Sequence, residues 1–262
     1  MSAPTFTDAE LERLAHAAHD IAAEAARVVM EVYAGDFTVT HKADATPVTE
    51  ADHEAEALIL PRLKALTPGI PAISEEAAAR GALPVRHGVS FWAVDPLDGT
   101  REFVARSGEF AVCIGLIVDG KPLVGALNGP ALGMSFFASP RGAFRTDGGT
   151  PRAIATRAVP AEGLTVIGSR SHGNSRKVAA FLEGKRVAAR SAMGSAIKFG
   201  LLAAGEADVY PRFGQTSEWD TAAGHAILTA AGGAVLALDG RPLAYGKPGY
   251  LNDGFIAWGR AP

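Results

Sequence analysis

The sequence predicts a mixed α/β chain in which sheets are layered with helices. Segments whose apolar residues recur at helical spacing alternate with short strand-like apolar runs along the whole length. No internal repeat, low-complexity stretch or obvious linker interrupts that order across 262 residues, of which 48% are apolar and 20% charged. That length suits one large domain or two closely packed halves, and the composition is ordinary for an ordered chain. The pattern changes near residue 148. The expected organisation is therefore an N-terminal α+β half, 1–147, and a C-terminal α/β half, 148–262, within one compact unit.

The first helix starts after Thr7, its N-cap, with Glu10 as the reciprocal capping residue and Phe6 and Leu11 as the flanking staple. Leu11, Leu14, Ala18, Ile21, Ala25, Val28 and Val32 follow at helical spacing, and Gly35 ends the helix. His16 and His19 on this helix are read as a solvated face rather than as metal ligands. A second helix starts near Thr49, carries Ala55, Leu58, Ile59 and Leu63 as its stripe, and is disturbed at Pro61. Residues 91–94 are a buried strand ending at Asp95. Residues 109–117 and 122–127 form a hairpin about Asp119-Gly120, and 134–138 with 143–144 form another. In the second half, strands are expected at 164–167, 187–189 and 207–210, and helices at 174–182, 195–204 and 220–231. Gly232-Gly233 stops the last helix, and 234–238 and 255–258 are extended.

A net charge of -3 without a long basic run argues against a nucleic-acid duplex as partner. A small anionic ligand remains compatible if a metal offsets a locally acidic site. The single cysteine, Cys113, lies in the apolar run 110–114 and is read as buried filler, which fits a reducing compartment. No run of roughly 18 apolar residues offers a membrane span. The N-terminus has no signal-peptide pattern, so the cytoplasm is the expected location. The first helix is amphipathic but lacks a basic face, so its stripe is expected to pack on the core. Peripheral contact with the inner face of the cell membrane is the alternative.

Four acidic clusters carry the chemistry: Asp52 after Thr49, Glu75-Glu76, Asp95-Pro96-Leu97-Asp98-Gly99-Thr100, and Asp220 after Trp219. A carboxylate ending an apolar strand must be solvated, paired or metal-bound. Pro96 stiffens the turn, Asp98 returns a second carboxylate, Gly99 permits close backbone approach, and Thr100 sets a hydroxyl beside free N–H groups suited to phosphate. These are hard oxygen donors, which select magnesium or manganese over zinc. Several of them around one point suggest more than one ion, as in two-metal phosphate ester hydrolysis. Taken singly, each cluster has a plain structural explanation: turn chemistry for Asp95-Pro96, capping for Asp52 and Asp220, a solvated helix start for Glu75-Glu76. Their joint occurrence in this order does not.

That joint pattern resembles the lithium-sensitive, magnesium-dependent phosphatase superfamily that includes the inositol monophosphatases. The distal Asp is Asp52, the Glu-Glu pair is Glu75-Glu76, the central motif is 95–100, and the Trp-Asp-x-x-Gly-like motif is Trp219-Asp220-Thr221-Ala222-Ala223-Gly224. The resemblance covers nearly the whole chain and implies a layered αβαβα sandwich. It implies two or three Mg2+ ions, with Mn2+ as a substitute and Li+ as an inhibitor. Their ligands would be Glu75, Asp95, Asp98, Asp220 and the carbonyl of Leu97. It also makes Thr100 and Asp52 the pair that activates a water, with Glu75 beside them, and gives Gly99 and Thr100 N–H groups for the phosphate. Homodimers are common in that superfamily.

Further stretches resemble its 3'(2'),5'-bisphosphate nucleotidase branch: 42–49, 99–103, 169–172, 194–199, 210–214 and 218–225. Members of that branch remove the 3'-phosphate of adenosine 3',5'-bisphosphate, a by-product of sulfate assimilation, and the sulfated nucleotide is a further expected substrate. By analogy Lys42, His172, Ser195, Lys198, Arg212, Glu218 and Asp220 join Gly99 and Thr100 around the substrate, with Lys198 and Arg212 facing its second phosphate. Taken alone, Lys198 also reads as a solvated helix residue, Arg212 as a partner of Glu218, and His172 as a cap. Gln215 stands where this branch has Pro, and Asn128-Gly129-Pro130 replaces Tyr-Ala-Pro. An inositol-1-phosphatase or fructose-1,6-bisphosphatase on the same scaffold is the nearest alternative. A nucleotide sensor without catalysis is the remote one, opposed by intact Asp52 and Thr100.

Overall fold

The computed structural model describes residues 5–42, 46–83, 90–170 and 175–260. The first half runs α1 (Asp8–Ala34), β1 (Val39–His41), β2 (Pro47–Thr49), α2 (Glu50–Leu66), β3 (Ala72–Ser74), α3 (Glu75–Ala79), β4 (Phe91–Asp98) and α4 (Thr100–Val104). It continues through β5 (Ala111–Val118), β6 (Lys121–Gly129), β7 (Met134–Ser139), β8 (Gly142–Thr146) and β9 (Arg152–Ile154). The second half runs β10 (Leu164–Ser169), α5 (Ser175–Leu182), β11 (Val187–Met193), α6 (Ile197–Ala203), β12 (Val209–Arg212), β13 (Thr216–Ser217), α7 (Ala222–Ala230), β14 (Ala234–Ala237), β15 (Leu251–Asn252) and β16 (Phe255–Trp258).

Strands β3 to β9 form a seven-stranded sheet in chain order, antiparallel except for the β3–β4 pair. A five-stranded sheet has the order β11-β10-β12-β16-β14, so its first three strands are parallel and β16 runs against both neighbours. Alternation along β4 sends Trp92 and Val94 to the α1–α2 side and Phe91 and Ala93 to the α6–α7 side. The core on that second side also contains Ile167, Tyr210 and Phe255 from the five-stranded sheet. Val178 and Phe181 of α5 pack against the other face of that sheet. The layers are thus α1–α2, seven strands, α6–α7, five strands, α5, the αβαβα order that the motif resemblance implies.

Helices α6 and α7 lie close to the seven-stranded sheet and to each other because small residues stand at their contacts. A Cβ on Gly125 would stand 2.3 Å from the Ala223 carbonyl oxygen, and one on Gly115 2.8 Å from Ala222 Cβ. Gly200 and Gly224 likewise admit Phe136 and Phe199 at distances no Cβ allows.

Local expectations meet the structure element by element. Thr7 and Glu10 form the reciprocal capping box. Gly35 caps α1 in an extended conformation, not the left-handed one its type permits. Asp119 and Gly120 both take positive φ, 50° and 73°, the geometry of a two-residue hairpin turn. Helix α2 continues through Pro61. His19 departs from the solvated face: its ring lies 4.7 Å from that of Phe137 and its Nε2 is 3.0 Å from Ser135 Oγ, while His16 stays exposed. Helix α6 starts two residues late because Ser195 takes φ 48°. Helix α7 also starts late, because the Asp220 carboxylate closes a turn onto the Ser217 N–H at 2.8 Å. Cys113 is fully buried. Among the described residues no helix is long and apolar enough to cross a membrane.

Candidate active site

Strand β4 delivers the central motif. Asp95 pairs with Cys113 and Asp98 with Ala111, so three steps on β4 oppose two on β5. This bulge at Pro96-Leu97 turns both carboxylates toward one cavity. The Leu97 side chain is pinned in the α1–α2 core, and its N–H donates to Asp95 Oδ1 at 3.0 Å. Gly99 follows at φ 94°, with Glu109 O 3.0 Å from where a Cβ would be, so a side chain there is excluded twice over. Helix α4, absent from the sequence reading, starts at Thr100.

The cavity has a volume of about 390 Å3. Glu75 from the start of α3, Asp95, Asp98 and Asp220 line one end with Leu97, Gly99 and Thr100. Ser195, Lys198 and Arg212 line the same cavity, with Arg101 and Glu102 among its other residues. Asp52 stands behind this surface. Its Oδ1 accepts the Thr100 hydroxyl at 3.2 Å, and its Oδ2 accepts the Thr49 N–H and hydroxyl, each at 2.8 Å. The capping role and the contact with Thr100 are thus two uses of one carboxylate.

Burial raises Asp95 and Asp220 well above the usual carboxylate range, and the charges of neighbouring carboxylates add to it. Asp98 is pushed up to about 6 by burial, against the pull of Lys198 and the Ala196 N–H, with Glu75 adding to the rise. Lys42 sits at the edge of this cluster, 2.6 Å from Glu75 and 2.5 Å from Glu76. Burial opposes its charge, yet the two carboxylates hold it above the ordinary lysine range. Burial lifts Glu76 to about 7.

Among the described residues no three His, Cys, Asp or Glu side chains stand at closed-cage spacing. Each carboxylate of the site is instead engaged by the chain: Glu75 pairs with Lys42, Asp95 accepts from Leu97, Asp98 from the Ala196 N–H, and Asp220 from Ser217. The donor set nevertheless fits a hard divalent cation. Asp95, Asp98 and Asp220, whose proton affinity burial and neighbouring charge raise, together with Glu75 and the Leu97 carbonyl, offer only oxygen.

The other wall differs from the sequence reading in places. Lys198 is buried, not solvated; its ammonium donates to the carbonyls of Met193 (2.9 Å) and Ser195 and lies 5.0 Å from the Tyr210 ring centre. Burial lowers it to about 8, with Asp98 opposing. Arg212 donates to the carbonyls of Gly214 at 3.3 Å and Gln215 at 3.0 Å. Glu218, expected beside the substrate, is fully buried away from the cavity. It accepts the Gly246 and Lys247 N–H groups at 2.8 and 2.9 Å and the Lys247 ammonium at 2.9 Å. Those donors come from a loop some thirty residues downstream, which local pattern does not place. His172 lies outside the described residues. Sequence reasoning missed Phe199 and Phe255 as cavity residues. They stack with ring centres 5.5 Å apart, and Tyr210 meets both edge-on. An aromatic residue in an apolar run carries no mark that separates core from pocket wall.

Comparison with known proteins extends this picture. The inositol monophosphatase family matches residues 10–258. The chain is 41% identical over 238 residues to the 3'(2'),5'-bisphosphate nucleotidase CysQ of Escherichia coli O6:H1, covering 90% of this chain and 95% of that one. It is 42% identical over 239 residues to the protein of the same name from Salmonella typhimurium, with the same coverage. Among solved structures, CysQ from Bacteroides thetaiotaomicron aligns with a TM-score of 0.77 and 34% identity over 95% of this chain and 98% of that one. An inositol monophosphatase from Anabaena aligns with a TM-score of 0.76 and 26% identity over 95% and 92%. Matches of this extent, on a fold whose bulged strand turns two carboxylates into one acidic cavity, make the chain a member of the inositol monophosphatase family.

Proposed function

We infer that this chain is a 3'(2'),5'-bisphosphate nucleotidase that hydrolyses adenosine 3',5'-bisphosphate to AMP and phosphate. The carrying observation is the lining of one cavity: four carboxylates together with the buried cations Lys198 and Arg212. A ligand with two phosphates matches both. One phosphate meets the acidic end through a cation, and the second meets Lys198 and Arg212 directly. The bisphosphate nucleotidases at 41% and 42% identity support the same substrate class.

Glu75, Asp95, Asp98, Asp220 and the Leu97 carbonyl would hold two or three Mg2+ ions, replaceable by Mn2+ and opposed by Li+. Such ions, when bound, supply Lewis acidity to water and to the phosphate oxygens. The remaining work belongs to the chain. In this reading the Thr100 hydroxyl relays a proton from the attacking water to Asp52, a role supported by their 3.2 Å hydrogen bond. Asp52 is held for that role by its two bonds to Thr49. Gly99 and Thr100 offer backbone N–H groups to the phosphate. The new P–O bond forms as the bond to the ribose 3'-oxygen breaks; that oxygen takes a proton from solvent, and the proton relayed to Asp52 returns to solvent. The sulfated bisphosphate nucleotide is a second substrate in this reading, which links the enzyme to sulfur metabolism; a cytoplasmic location and assembly as a homodimer belong to the same proposal.

The test is magnesium-dependent phosphate release from adenosine 3',5'-bisphosphate, inositol 1-phosphate and fructose 1,6-bisphosphate, compared by kcat/KM. The expected preference for the nucleotide is about 100-fold, about 2.7 kcal/mol of discrimination. A preference for inositol phosphate or the sugar would refute the substrate and leave the phosphatase chemistry standing.

A further inference from the structure

The loop between β11 and α6 forms the cavity wall with Gly194, Ser195 and Ala196, yet Ser195 takes φ 48°, a conformation that non-glycine residues rarely hold. Something must hold it there. Its two ends are tied in different ways. The Ala196 N–H donates to the Asp98 carboxylate at the acidic end. The Gly194 N–H donates to Glu109 Oε2 at 2.7 Å. Glu109 lies just before β5 in the seven-stranded sheet and does not line the cavity.

Glu109 is itself locked. Arg170, just after β10 of the five-stranded sheet, donates Nε to Oε2 at 2.8 Å and a terminal nitrogen to Oε1 at 2.6 Å. The same terminal nitrogen reaches the Ala192 carbonyl at 3.0 Å. The backbone of residue 109 also touches both walls. Its carbonyl oxygen is 3.0 Å from a Cβ built on Gly99 and 2.7 Å from one built on Gly194. Gly99 and Gly194 thus close on residue 109 from two sides.

We propose that Glu109 and Arg170 form a staple across the two sheets that fixes the Ser195 loop against the Gly99–Thr100 turn, and so sets the width of the nucleotide side of the cavity. Both are positioning residues: neither lines the cavity. The proposal rests on the nucleotidase reading for its substrate but not for its geometry. Arg170 is 52% exposed and Glu109 14%, so the charges alone are screened and the fork geometry is what the loop needs. Lysine keeps the charge and loses the fork.

The test compares Glu109→Gln, Arg170→Lys and Arg170→Ala with the unaltered enzyme. All three are expected to raise KM for adenosine 3',5'-bisphosphate by about tenfold, the scale of one charge-assisted hydrogen bond, with kcat within about twofold. Amide hydrogen exchange at Gly194 is expected to accelerate in each. If Arg170→Lys matches the unaltered enzyme in KM, charge and not the fork is at work and the proposal is overturned. Faster exchange with unchanged KM also overturns it, as does a fall in kcat and Tm together without a KM change. Turnover of the bisphosphate by the unaltered enzyme tests the nucleotidase reading separately. If that fails, the KM ratio for inositol 1-phosphate and the Gly194 exchange rate still decide the staple.

Discussion

Residue chemistry in this cavity is governed by burial. Lys198 shows it most usefully, because burial brings its ammonium down to about 8, near working pH. The charged form exists below that value and is lost as pH rises through it. If Lys198 faces the second phosphate, KM for the bisphosphate rises as pH passes about 8, and the rise disappears in Lys198→Met. The same rise in the variant would assign the titration elsewhere. The sequence named Lys198 as a candidate and offered a solvated helix residue as its plain explanation. Only the tertiary structure buries it, under the Ser195 loop and against Tyr210. Glu218 went the other way. It stands two residues from Asp220 in the chain, yet the loop at Gly246-Lys247 claims its carboxylate.

Elements position these residues through close approach. Helix α7 follows Asp220 and lies directly on β5 and β6, where Gly115 and Gly125 leave room for Ala222 and Ala223. Gly125→Ala is expected to cost roughly 1–3 kcal/mol by overpacking, read as a Tm several degrees lower. Turnover should fall with it, because Asp220 moves with α7. Gly69→Ala, with open space around its Cβ, serves as the neutral comparison. Equal Tm values for the two variants would show that α7 tolerates displacement. The helices and hairpins themselves were legible locally: the capping box at Thr7, Asp119-Gly120, and the apolar runs of β5 and β6. The short elements were not. Strand β3, α3 and α4 are too brief for periodicity to mark, and tertiary contacts define them.

At the scale of the whole molecule, one core joins the two sheets. Ile73 and Phe91 of the seven-stranded sheet share it with Ile167, Tyr210 and Phe255 of the five-stranded sheet, through α6 and α7. Neither sheet can expose its inner face without exposing that layer, so both should unfold together. Trp92 belongs to the first sheet and Trp258 to the second. Urea unfolding followed through each, with the other tryptophans replaced by Phe, is expected to give one coincident midpoint. Two separated midpoints would divide the chain into independent units.

The sequence by itself determined the order of the longer elements, the acidic motif set and, through their joint spacing, the family. Those are properties of local composition: a Pro-stiffened turn between two aspartates, a Thr after Gly, apolar runs at helical or strand spacing. The tertiary structure alone decided which charges face the cavity and which are spent elsewhere. Asp52 reaches it through Thr100, Lys42 binds Glu75 and Glu76, and Glu218 is withdrawn. Glu109 and Arg170 meet across 61 positions of chain. The physical reason is that a charge's partner is fixed by packing between distant segments, while its identity and its local turn are fixed by its neighbours in the chain.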